Sequence, residues 1–133
     1  MKRVVSSDAA PQAIGPYSQA IAAGDLIFLS GQIGLEPASG LLVSGTPADE
    51  TRRVLENLRA VLASAGLTLD AIVRTTVYLV DLGDFPIVNQ IYGEFFAEPF
   101  PARATVQVAA LPRGARVEID AIASARDARS GST

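Results

Sequence analysis

Two spacings of apolar residues alternate along this chain, and together they predict a sheet carrying helices. Tyr17 to Ala23 and Leu26 to Ile33 read as two strands joined at Gly24-Asp25, a dipeptide suited to a tight hairpin turn. The second run is apolar on both faces as far as Ser30, the pattern of a central strand. Pro37 to Gly45 follows as a loop. From Pro47 to about Ala65, Val54, Leu58, Val61 and Ala65 recur at helical spacing, and Leu55 and Leu62 widen the stripe. Thr46 is the expected N-cap, Pro47 the first helical residue and Asp49 its capping-box partner, with Gly66 as the stop. Ala71 to Val80 is rich enough in β-branched and aromatic residues to be a strand. Asp84 is the expected cap of a second helix with the stripe Val88, Ile91, Tyr92, Phe95 and Phe96, ended by Pro99 and Pro101. Ala104 to Ala110 and Ala115 to Ser124 complete the pattern as two strands around Leu111-Pro112-Arg113-Gly114.

The order β-β-α-β-α-β-β, with room for a short extra strand at the N-terminus, predicts an α+β two-layer sandwich with both helices on one face of the sheet. Residues 1–124 form one domain, and the small, polar segment 125–133 is expected to be a flexible tail. The uncovered face must meet solvent or another subunit. Leu29, Val77 and Tyr78 lie on runs apolar on both sides, which favours a subunit partner and hence a homo-oligomer.

In the last strand Val117, Ile119, Ala121 and Ala123 share one face, and Arg116, Glu118 and Asp120 the other. If Leu111 to Gly114 is a hairpin loop, Ala110 pairs with Ala115. Thr105 then stands opposite Asp120, with Arg103 diagonal to it on the same face. A two-residue loop keeps that parity and a three-residue loop reverses it. The expected constellation is a guanidinium fork for a carboxylate, a hydroxyl, and a carboxylate able to hold or deprotonate a water. The alternative is a plain cross-strand ion pair on a wet face. Ser30-Gly31-Gln32 ends an apolar strand where Gly allows close approach of a ligand to the backbone; a bulge or strand end explains it equally. Tyr17 follows the turn Gly15-Pro16 and offers a phenol, or simply packs its ring at the core edge. Asn89 stands between core positions of the second helix.

Composition narrows the chemistry. The 133 residues include no Cys and no His, which excludes disulfides, thiolate nucleophiles, Ser-His-Asp catalysis and Cys- or His-based metal sites. A net charge of −3 argues against nucleic-acid binding, which depends on neutralising phosphates. No apolar run reaches the ~20 residues of a membrane span, and Met1 to Asp8 lacks a signal-peptide core, so a cytoplasmic protein is expected.

The strings Ala13-Ile14-Gly15-Pro16-Tyr17-Ser18-Gln19, Ser30-Gly31-Gln32-Ile33, Val77-Tyr78-Leu79-Val80-Asp81-Leu82, Phe100-Pro101-Ala102-Arg103-Ala104-Thr105-Val106 and Val117-Glu118-Ile119-Asp120-Ala121 resemble the Rid (YjgF) family of reactive intermediate deaminases. The resemblance runs from about Ala10 to Ala123. It implies a chorismate-mutase-like fold, a homotrimer with ligand pockets between subunits, and cofactor-free hydrolysis of 2-imino or enamine acids to 2-oxo acids and ammonia. It implies that Arg103 binds the substrate carboxylate and that Tyr17, Ser30, Gly31, Asn89 and Thr105 line the pocket, with Thr105 where relatives often have Cys. It also puts the water-holding carboxylate on Asp120, where a Glu is usual. A non-catalytic, chaperone-like protein that binds 2-oxo acids is the alternative from another class, with endoribonuclease a third.

Overall fold

The computed structural model describes residues 1–43 and 45–125. Its elements are β1 (Lys2–Val5), β2 (Ala20–Ala23), β3 (Leu26–Gln32), α1 (Pro47–Ala63), β4 (Ile72–Leu79), α2 (Phe85–Phe95), β5 (Ala102–Gln107) and β6 (Val117–Ser124). The strands form one sheet in the order β1-β2-β3-β6-β4-β5. The expected α+β sandwich is therefore present, with the N-terminal strand as one edge. Of the expected tail, Ala125 donates its N–H to the Asp25 carbonyl and packs on the core, and the remainder lies outside the described residues.

Local signals act as read. Ala23 pairs with Leu26 across the Gly24-Asp25 turn, and Gly24 takes the positive φ such a turn requires. The Thr46 hydroxyl accepts from the Asp49 N–H to start α1. Asp84 precedes α2 but makes no side-chain cap; Asp81 instead accepts from the Gly83 N–H in the short turn before it. The α1 stripe Val54, Leu55, Leu58, Val61 and Leu62 is wholly buried against Val77, Leu79, Val117 and Ile119.

The expected hairpin between the last two strands does not form. β5 pairs in parallel with β4, and β6 lies antiparallel between β3 and β4. The reason lies in the two strands themselves. One face of β6 is fully apolar, and only a central position buries it along its whole length. β5 carries Arg103, Thr105 and Gln107 and tolerates an edge. The connection between them crosses the end of β4, where Val108 N–H donates to Leu79 O and Val80 N–H to Arg116 O. Thr105 consequently stands beside Val77, and Asp120 beside Thr76.

Both helices pack on one face. On the bare face Val4, Ile21, Phe28 and Ile122 form a continuous cross-strand row through the register of β1, β2, β3 and β6. Val4 is 67% exposed, Phe28 44% and Val106 41%, an apolar surface that no helix among the described residues covers. No helix among the described residues is long and apolar enough to cross a membrane.

Candidate functional site

The polar residues singled out in the sequence fall into two groups on opposite faces of the sheet. The first lines a cleft of about 610 Å³ that includes Tyr17, Ser30, Gly31, Ile33, Arg113 and Glu118. It exists because the β3–β6 register slips between Leu29 and Gln32, so that Ser30-Gly31 forms a bulge. Gly31 there lies against Glu118: a Cβ built on it would sit 2.9 Å from Glu118 Cδ and collide with Oε2. Only a residue without a side chain leaves that carboxylate in place. The Ser30 hydroxyl donates to Ser18 O at 2.6 Å, so toward a ligand its oxygen is an acceptor. Tyr17 is 54% exposed with its phenol at the cleft.

Buried amides fix these walls. Gln19 donates to Ser7 O and Pro11 O and accepts from Ser7 N–H, stapling the N-terminal segment to the start of β2 next to Tyr17. Asn57 of α1 donates to Ile33 O and Leu35 O while accepting from Arg53 Nε. Glu50, also buried, accepts from the Arg116 N–H at 2.8 Å and so secures the turn that carries Arg113.

The second group surrounds Arg103. Its guanidinium lies 4.8 Å from the Tyr92 ring centroid and 5.4 Å from that of Phe85, and Nη1 donates to Asn89 Oδ1 at 2.8 Å. Tyr92 is held in turn by a buried 2.8 Å hydroxyl contact with Thr75. Burial raises the Tyr92 phenol above its usual pKa, against the lowering effects of Thr75 and the Arg103 charge. The aromatic rings and one amide orient the fork but leave most of its five donors for an anion. Thr105 follows on the same face, partly buried.

Arg103 and Asp120 therefore do not converge as the hairpin register implied. Arg103 pairs with Thr75, on the helix side, and Asp120 with Thr76, on the bare side. Asp120 is not a wall of the cleft; it accepts the Tyr78 hydroxyl proton at 2.9 Å. The carboxylate in the cleft is Glu118, two residues before the position at which the resemblance put it. Its pKa is raised from the ordinary carboxylate value, first by burial and then by the charge of Asp120. From Glu118 in β6 to Arg103 in β5 is two strand spacings, roughly 10 Å, and the two side chains leave opposite faces of the sheet. A three- or four-carbon acid cannot touch both groups of one chain. Among the described residues no cluster of acidic side chains could hold a metal ion.

Residues 7–125 match the family model described as Endoribonuclease L-PSP. The chain is 56% identical over 124 residues to Protein DfrA of Myxococcus xanthus, covering 92% of this chain and 95% of that one. It is 51% identical over 123 residues to the human 2-iminobutanoate/2-iminopropanoate deaminase, covering 92% and 90%. Among solved structures, Rid-family YyfA from Yersinia pestis superposes with a TM-score of 0.91 at 47% identity, covering 93% of this chain and 99% of that one. E. coli TdcF with bound serine superposes with a TM-score of 0.87 at 40% identity, covering 92% and 98%.

Proposed function

This chain belongs to the Rid (YjgF) family, and we propose that it hydrolyses small reactive 2-imino acids, such as 2-iminopropanoate (the tautomer of 2-aminoacrylate) and 2-iminobutanoate, to 2-oxo acids and ammonia. Relatives carrying deaminase names at about half identity support the reaction class. The observation that carries the reading is the split site: a presented guanidinium on one face and a carboxylate beside a glycine on the other. A homotrimer, as the resemblance implies, would use the apolar bare face for assembly and bring Arg103 and Asn89 of one copy to Tyr17, Ser30, Gly31 and Glu118 of the next.

In that cleft Arg103 takes the substrate carboxylate bidentately, assisted by the Gly31 N–H. The iminium N–H can donate to the Ser30 oxygen. Glu118 holds a water against C2 and takes its proton as the C–O bond forms, giving a carbinolamine. The same proton then passes to the nitrogen. Ammonia leaves as the C–N bond breaks, and the carbinolamine hydroxyl gives its proton to Glu118, left free by the previous transfer, as the 2-oxo group forms. Free imines already hydrolyse in water, so positioning and one base supply the acceleration needed, without a cofactor. Tyr17 donates a hydrogen bond to the developing oxygen. The net charge of −3 and the lack of His count against the ribonuclease named in the family description.

The test generates 2-iminopropanoate in situ with an amino-acid oxidase and follows its capture by semicarbazide. Wild type is expected to suppress the trapped signal, while Arg103→Ala and Glu118→Gln are expected not to. Mixing the two variants, with exchange of subunits, should restore about one quarter of wild-type activity, the statistical share of interfaces with both groups intact in a closed ring. Wild type no faster than buffer would overturn the deaminase reading in favour of a binding protein. Two inactive variants whose exchanged mixture stays inactive would overturn the shared site.

A further inference from the structure

We propose that Asp120, held by the Tyr78 hydroxyl, is a positioning residue that strengthens Glu118 as a base, an inference resting on the reading of Glu118 as the water-activating group. β6 alternation puts both carboxylates on the bare face two residues apart, roughly 7 Å along the strand. Tyr78 stands directly opposite Glu118 in the register, yet its hydroxyl reaches diagonally to Asp120 Oδ2 at 2.9 Å. Its proton is thereby committed to Asp120, and Glu118 receives no phenolic hydrogen bond that would stabilise its anion. Asp120 in turn is fixed by that bond on the face it shares with Glu118.

The remaining groups around Glu118 do not offset that field. From β3 it meets Gly31, and the neighbouring Ser30 and Tyr17 that line the same cleft carry no charge either. Just before its strand, Arg116 is turned toward Glu50, 3.9 Å away. Arg113 lines the same cleft but spends a donor on Gly40 O. Arg74 of β4 lies on the bare face opposite Ile122, one pair beyond Asp120. No ion pair joins Glu118 to any cation among the described residues. The upward displacement of both the Glu118 and Tyr78 pKa values, with Asp120 among the causes of each, agrees with this arrangement. A carboxylate with raised proton affinity is better matched to a water and an amine leaving group than an ordinary one.

Two readouts test this on the full-length protein. Carbon-13 NMR of Glu side chains, with the Glu118 signal assigned by its loss in Glu118→Gln, follows the titration without substrate. The pH dependence of imine hydrolysis, with coupling enzyme in excess at each pH, follows it in turnover. Asp120→Asn preserves shape and an acceptor for Tyr78 but removes the charge; Tyr78→Phe releases Asp120 and serves if the first variant does not fold. Both are expected to move the Glu118 titration and the acid limb of kcat/KM to lower pH, Asp120→Asn further than Tyr78→Phe. An unchanged Glu118 titration in a folded variant would overturn the role of Asp120. Full activity of Glu118→Gln would instead defeat the base reading, and the NMR titration would still decide the effect of Asp120 on Glu118.

Discussion

Replacing Gly31 by Ala should disable the cleft while leaving the fold nearly intact. The φ of Gly31 lies outside the left-handed region, so the added methyl group strains no backbone; what it meets is Glu118. The new Cβ would lie 2.9 Å from Cδ and 3.1 Å from Cγ, and would overlap Oε2. Ordinary carbon contacts are about 3.5–4 Å, so the carboxylate must retreat by roughly 0.5–1 Å or change rotamer. Overpacking in a rigid core costs about 1–3 kcal/mol, and here the obstructing atoms are the end of a flexible side chain, which places the loss near 1 kcal/mol. A displacement of the base by about 1 Å, by contrast, lowers the rate on the order of 100-fold, or about 2.7 kcal/mol of transition-state stabilisation.

The trapped-imine assay measures the second quantity and thermal melting the first. The expected result is kcat/KM down about 100-fold with a melting shift of only a few degrees. The double variant Gly31→Ala/Glu118→Gln separates this cause from general damage. If the methyl group acts by displacing Glu118, the double variant is no slower than Glu118→Gln alone. A Gly31→Ala enzyme within a few-fold of wild type would refute the placement of Glu118 as the base, and additive losses would refute the steric route.

Three further outcomes follow from the same contacts. Arg103→Lys keeps the charge but loses the fork and the geometry toward Asn89, so KM should rise more than kcat falls, with kcat/KM down about 10- to 100-fold in steady-state assays. Asn57→Leu strands the Ile33 and Leu35 carbonyls and the Arg53 donor, and urea unfolding should show a loss of about 2–4 kcal/mol; an unchanged midpoint would mean that water replaces the amide. Glu118→Gln should be more stable than wild type near pH 7. A carboxyl whose folded pKa is raised favours folding in its protonated form, and that contribution is lost as pH rises through the folded value. Melting curves should therefore converge toward pH 4, separate as pH rises from the ordinary carboxylate value through the raised one and stay apart above it, and a gap that is constant across that whole range would show that the difference is not one of ionisation.

Much of the fold was legible because its signals are local. The Gly24-Asp25 turn, the Thr46 cap and the α1 stripe are each decided within a few residues of sequence, and each forms as read. The pairing of β5 and β6 was not legible, because adjacency in sequence favours a hairpin while the choice rests on which strand has a face that must be covered on both sides. Alternation in β6 already contained that information. Val117, Ile119, Ala121 and Ala123 form an unbroken apolar face that an edge strand would leave half exposed, whereas Arg103, Thr105 and Gln107 suit an edge.

The site followed the fate of that pairing. With the hairpin, parity put Asp120 on the face of Arg103 and diagonal to it; with β4 between the two strands, the same parity sends Arg103 to the helix side and Asp120 to the bare side. Glu118 and Asp120 alternate identically along β6, so no periodicity tells them apart. What separates them is the bulge at Ser30-Gly31, which brings a residue without a side chain against one carboxylate and not the other. The residue types of the site were readable in the sequence, and its handedness across the sheet was not. On the proposed reading, dependence of activity on assembly follows from the faces: if Arg103 and Glu118, on opposite sides of one sheet, are to act on the same small acid, a second copy must turn the other side toward it.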